Sequence, residues 1–179
     1  MHSLTTAWPG AYKKRGICAQ AARRYARAMK IPFLLGSKQD TEFTEKIAAY
    51  AKDFGVPSEI IVASAHKVPE KVATVIEKLN ADTEPTVVIA VVGMSNGLAG
   101  VMAGGCVHPV IACPPFKDLA DYQVNVHSSL QMPSDVPVMT VLNPKNAALA
   151  ALRILAEGDA GLRKKLLERI SKIKGEYTV

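Results

Sequence analysis

Glu59-Ile60-Ile61-Val62-Ala63-Ser64-Ala65-His66-Lys67-Val68-Pro69 reads as a strand that runs straight into a helix. Glu59 to Ala63 is a β-rich run. A helical pattern opens at Pro69, a position where a missing amide hydrogen costs little. Between them lie a hydroxyl, an imidazole and an ammonium, on Ser64, His66 and Lys67. Open α/β sheets gather their ligands at turns of this kind, outside the carboxyl ends of the strands. An imidazole can move a proton near neutral pH, and Lys67 adds a positive charge. A loop histidine without a chemical task fits this stretch as well, so the rest of the chain has to decide.

Outward from this stretch the same unit repeats. Ile31 to Leu35 is short and continuously apolar, as in a parallel strand buried on both faces. It ends in Gly36-Ser37-Lys38-Gln39-Asp40, and a helix follows with Phe43, Ile47, Ala51 and Phe54 on one stripe and Gly55 as its stop. The helix after Pro69 carries Val72, Val75, Ile76 and Leu79. Thr86 to Val92 is a third strand, ending in Gly93-Met94-Ser95-Asn96-Gly97-Leu98, and a small-residue helix runs through Gly100, Ala103, Gly104 and Gly105. Val107 to Ala112 is a fourth strand, Asp118 to Leu130 a loop or helix, and Val136 to Leu142 a fifth strand. Asn143-Pro144 opens a helix with Ala148, Leu152 and Leu155 inward; Ala160 to Lys174 is amphipathic and basic. Strands alternating with helices predict an α/β fold: one three-layer αβα domain with a doubly wound parallel sheet, flavodoxin-like. Pro32 removes a ladder donor, which an edge or strand-start position would accommodate.

The chain has 179 residues, 49% of them hydrophobic, enough for one domain with a full core. Residues 1–30 are expected to form a basic N-terminal extension and residues 31–179 the folded domain. Residues 1–39 hold eight Lys or Arg and no acid, while the remainder holds fourteen basic and sixteen acidic groups. The body is therefore mildly acidic, and the overall charge of +6 gives no argument for nucleic-acid binding. Tyr12 to Met29 could form a basic helix, and both a transit peptide and a loosely ordered extension fit it. Cys18, Cys106 and Cys113 form no close pair and no metal-like cluster, which reads as reduced thiols in a cytoplasmic setting. No apolar run approaches the roughly 18 residues of a membrane helix, so no membrane partner is expected.

Three strand ends thus carry Gly, Ser, Asn or His, and neighbouring parallel strands bring such ends to one crevice. The first, residues 36–40, offers backbone donors at a helix start for a phosphate and a carboxylate suited to ribose hydroxyls. An ordinary helix cap explains a lone Gly-Ser loop equally well. There is no Gly-x-Gly-x-x-Gly, no Walker loop and no metal-ligand spacing.

Gly36-Ser37-x-x-Asp40, Ser64-Ala65-His66-Lys67, Ser95-Asn96-Gly97-Leu98, Ser128-Ser129-Leu130-Gln131-Met132-Pro133 and Asn143-Pro144-Lys145-Asn146-Ala147-Ala148 occur in this order. In this the chain resembles the aminoimidazole ribonucleotide carboxylases of purine biosynthesis, over about residues 31–157. The family has two branches. One is a mutase acting on N-carboxyaminoimidazole ribonucleotide. The other, a carboxy-lyase, joins carbon dioxide to aminoimidazole ribonucleotide without ATP. Lysine after the histidine and Ser-Asn-Gly-Leu resemble the direct carboxylase. The resemblance implies Ser37, Asp40 and Lys67 as ligands of the ribose phosphate. It implies His66 as the proton-transfer residue, with Ser64 beside it in the substrate site. Ser95, Asn96 and Gly97 become the wall of the carbon dioxide pocket. Ser95 can donate to a forming carboxylate, and it also suits the cap of the next helix. The resemblance further implies no cofactor and a homo-octamer.

Two positions depart from the family pattern. Gln39 stands where serine is usual, and Met94 stands where the carboxylase branch usually has arginine. The first keeps a donor for phosphate; the second deletes a cation. Two other readings stay open on the sequence: the mutase, and a non-enzymatic member that binds a nucleotide.

Overall fold

The structure, a computed structural model, describes residues 29–178. The N-terminal extension expected from the sequence therefore lies almost wholly outside the described residues. Five strands form one parallel sheet in the order β2-β1-β3-β4-β5: β1 Ile31–Leu35, β2 Ser58–Val62, β3 Val88–Val91, β4 Val110–Ala112 and β5 Val138–Thr140. This is the doubly wound flavodoxin-like order, with its switch point between β1 and β3.

Alternation along each strand sorts the core into two layers. Ile31, Phe33 and Leu35 of β1, with Ile89, Val91 and Ile111, face one side. That side is covered by α1 Thr41–Asp53, α6 Pro144–Leu155 and α7 Ala160–Gly175, through Ile47, Ala51, Ala148, Ala151, Leu152, Leu162 and Leu166. Leu34, Val88 and Val110 face the other side, under α2 Pro69–Ala81 and α3 Gly97–Gly105, through Val72, Val75, Leu79, Leu98 and Met102. Both faces of β1, β3 and β4 are dry, which is why these strands read as unbroken apolar runs. α1 and α6 pack directly on each other above the sheet. Lys165 of α7 donates to the Phe54 carbonyl at 2.8 Å, supplying a cation to the carboxyl end of α1.

The structure shortens three predicted strands, two of them at a proline. Thr86 makes only a bridge to Lys30, and β3 itself starts at Val88. Val107 is 76% exposed in a turn, and Pro109 without an amide delays β4 to Val110. Pro137 likewise delays β5 to Val138. β2 lies one residue earlier than expected. The 118–130 segment becomes two short helices, α4 Leu119–Asn125 and α5 His127–Leu130.

Pro32 is not at an edge, because β1 has β2 on one side and β3 on the other. The amides of Lys30 and Gly36 donate toward β3, to Pro85 and Val91. Position 32 shares that direction and has no amide to give, and pairing with β3 resumes at Phe33–Ile89. Its place as the second residue of the strand is what limits the loss to one rung.

Candidate active site

His66 lies on the turn between β2 and α2, closed by amides of Lys67 and Val68 that donate to the Ser64 carbonyl at 3.3 and 2.9 Å. Pro69 occupies the first turn of α2, so the turn ends where the ring blocks any further amide bond. Ser64 is half-buried, and His66 and Lys67 are exposed. The imidazole rests against Gly97, the first residue of α3. A Cβ there would stand 2.8 Å from His66 Nε2 and 3.1 Å from Cε1. Only glycine permits so close an approach. The loops after β2 and β3, far apart in sequence, thus meet at these two residues.

The loop from Gly93 to Gly97 is held unusually firmly for an irregular segment. Met94 adopts the left-handed region with φ +52°, at a cost of roughly 1–2 kcal/mol for a side-chain-bearing residue, and its side chain is 74% exposed. Asn96, not Ser95, caps α3: its Oδ1 accepts from the Ala99 amide at 3.2 Å. Asn96 is 2% exposed, and its Nδ2 donates to Ser129 Oγ at 2.8 Å. The amide of Asn96 donates to Ser128 Oγ at 3.1 Å. With the cap supplied by Asn96, Ser95 remains an exposed hydroxyl at the mouth of the site.

The loop after β1 closes on the same crevice. A Cβ on Gly36 would stand 3.2 Å from Val92 Cγ1, so the ends of β1 and β3 approach each other tightly. Ser37 Oγ accepts from the Gln39 amide at 3.2 Å and opens a short 3₁₀ turn, Lys38–Asp40. Lys38 and Gln39 are exposed; Ser37 and Asp40 are half-buried. Asp40 stands at the N-terminus of α1 without capping it by its side chain. Burial pushes its carboxyl above the ordinary carboxylate range, partly offset by a hydrogen bond from the Ser37 backbone.

Ser37, Asp40, Ser64, His66, Lys67, Ser95, Asn96 and Gly97 therefore sit along the carboxyl ends of β1, β2 and β3. The structure brings His66 and Gly97 into contact and gives Asn96 a structural task that sequence reading missed. It shows no group of three His, Cys, Asp or Glu able to hold a metal among the described residues. Burial raises the Cys106 thiol and pushes that of Cys113 up to about 12, which makes Cys113 a core residue rather than a nucleophile. A groove of about 470 Å³, lined by Ala48, Lys52, Gly55, Val56 and Ser58 among others, opens at the amino end of β2, away from this crevice.

A switch-point crevice with an imidazole seated on a neighbouring loop's glycine belongs to the doubly wound α/β enzymes that act on small molecules. The AIR carboxylase family model matches residues 30–176, and the chain belongs to that family. It is 40% identical over 145 residues to a phosphoribosylaminoimidazole carboxylase of Archaeoglobus fulgidus, covering 81% of this chain and 79% of that protein. It is 37% identical over 152 residues to a phosphoribosylaminoimidazole carboxylase of Treponema denticola, covering 79% and 95%. A crystal structure of Treponema denticola PurE superposes with a TM-score of 0.72 at 35% identity, covering 83% of this chain and 96% of that one. The human bifunctional phosphoribosylaminoimidazole carboxylase/succinocarboxamide synthetase is 41% identical over 126 residues, but these span only 29% of its length.

Proposed function

We propose that the chain carboxylates 5-aminoimidazole ribonucleotide with carbon dioxide, giving 4-carboxy-5-aminoimidazole ribonucleotide in purine biosynthesis. The observation that carries this reading is the seat of His66 on Gly97, at the head of Ser95-Asn96-Gly97-Leu98. The aminoimidazole ring is an enamine, so its C4 is already nucleophilic. C4 forms a bond to the carbon of carbon dioxide, and the electron pair displaced from that carbon settles on an oxygen as carboxylate. The C4 proton then leaves to the His66 imidazole, restoring the ring; reversal returns it. The exposed Ser95 hydroxyl and the open amides at the start of α3 suit the forming negative charge. Ser37, Asp40 and Lys67 hold the ribose phosphate, with Ser64 in the same site. No step asks for a cofactor.

The exposure of His66 and of Val101, Val107, Val124 and Leu130 supports assembly into a homo-oligomer, read by family resemblance as an octamer. No helix among the described residues is long and apolar enough to cross a membrane, and we place the enzyme in the cytoplasm. The test is turnover of aminoimidazole ribonucleotide with bicarbonate as the carbon dioxide source and no ATP, beside turnover of the N-carboxy isomer. Faster use of the isomer identifies a mutase, and loss of both with retained nucleotide binding identifies a non-enzymatic member. Light scattering checks the octamer.

A further inference from the structure

We propose that Ser128 and Ser129 are positioning residues for this reaction, acting through Asn96 and Gly97 on the His66 imidazole. The proposal rests on the reading of His66 as the proton-transfer group. The two serines hydrogen-bond to Asn96, Met94, Asn125 and Thr140, not to His66, and neither lies on the loops after β1, β2 and β3.

Asn96 is fixed at three atoms. Its Oδ1 is spent on the Ala99 amide, its Nδ2 on Ser129 Oγ and its backbone amide on Ser128 Oγ. Ser129 is itself 2% exposed, and its carbonyl accepts from Thr140 Oγ1 at 2.8 Å, which ties α5 to β5. Ser128 offers its one hydroxyl hydrogen to the carbonyls of Met94 and Asn125, each 2.9 Å away. Contact with the Met94 carbonyl holds the left-handed turn that lifts the loop. A continuous hydrogen-bonded path therefore runs from the sheet edge to the residue directly before Gly97.

Gly97 is the wall against which the imidazole rests, with no room for even a methyl group between them. The turn carrying His66 is exposed, so the position of that wall limits the ring's approach to the crevice. Removing either hydroxyl leaves a buried donor of Asn96 without an acceptor. The loop then gains freedom to shift, and the wall moves with it. Displacements well under 1 Å at a reacting group are felt as rate, not as affinity. The phosphate ligands lie on other loops, so substrate binding should change little.

The experiment compares full-length parent, Ser129→Ala, Ser128→Ala and Ser128→Thr by steady-state carboxylation of aminoimidazole ribonucleotide. Alongside, the His66 ring is followed by ¹H–¹⁵N NMR, with its signal assigned by its loss in His66→Asn. Both alanine variants should lose about tenfold in kcat with KM within about twofold of the parent. Their His66 ring signals should move, and Ser128→Thr, which keeps the hydroxyl, should recover both. Parental kcat, or an unmoved His66 signal, overturns the proposal even if thermal stability falls. Should Ser129→Ala fail to fold, the Ser128 pair decides by the same criteria. Absence of turnover in the parent refutes the carboxylase reading instead, and the ring signals still judge the positioning.

Discussion

Gly97→Ala tests the site at its tightest point. The new methyl carbon would stand 2.8 Å from His66 Nε2 and 3.1 Å from Cε1. An ordinary contact needs about 3.5 Å, so the ring must retreat by about 0.7 Å. His66 is exposed, and its side chain can make that retreat without disturbing the core. A displacement of this size at a proton-transfer group should lower kcat on the order of tenfold to a hundredfold. Stability should not follow. Gly97 opens a helix with ordinary negative φ, and alanine is favoured over glycine in helices by up to about 1 kcal/mol. The melting temperature should hold, or rise by up to about 4 °C. Gly100→Ala is the control, because its methyl would meet only the flexible end of Met132, Sδ at 3.4 Å and Cε at 3.9 Å, and should leave kcat unchanged. The measurements are steady-state carboxylation and thermal melts of the three proteins. Gly97→Ala with kcat within about threefold of the parent would refute the reasoning. So would a rate loss that merely tracks a fall in melting temperature.

His66→Asn should abolish turnover by about 10²- to 10⁴-fold while isothermal titration still detects substrate binding; near-parental activity would remove His66 from the reaction. Asp40→Asn tests a group whose native carboxyl is raised by burial. The native state then binds that proton more tightly than the unfolded chain does. Ionisation of Asp40 therefore costs stability as pH climbs from the ordinary carboxylate range through the raised value. Thermal melts should show the variant more stable than the parent near pH 7 and equal to it near pH 3, with a higher KM for the ribonucleotide; a loss of stability at pH 7 would contradict the assignment. Met94→Arg places a cation at the mouth of the site on a side chain that is 74% exposed and packs on little. KM should fall a few-fold at low salt and return to the parental value at high salt, since the gain is electrostatic; a salt-independent KM would show that position 94 does not face the phosphate.

The sheet was legible because its strands are buried on both faces. Ile31 to Leu35 and the run through Val88 to Val91 have no polar residue to confuse the period. Their ends were less legible, because pairing stops where a proline withholds its amide, and a residue such as Val107 is apolar yet exposed. At the site, the sequence placed His66 and Gly97 on the right loops, since strand ends converge in any parallel sheet. It did not reveal that the imidazole rests on the glycine, which depends on loop heights of less than an ångström. Nor did it assign a role to Ser128 and Ser129. Their partners lie 32 and 33 positions away, and a serine pair after a short helix has no periodic signature. Ser95 suited the helix cap, and Asn96 took it, so the helix starts one residue later, at Gly97.

The packing of α1 on α6 has a consequence in time. Ile47 and Leu152 share one core layer but are made about 100 residues apart. On a ribosome adding about 5–20 residues per second, the apolar side of α1 waits roughly 5–20 s for its cover. During that interval β1 and β2 can pair and α2 can settle, yet half of the nascent sheet remains bare. A chain stalled before Pro144 would present Ile47, Ala51 and the odd-numbered side of β1 to whatever binds oily surfaces. Synthesis of residues 144–175, rather than formation of the catalytic loops, decides when the newborn protein stops being sticky.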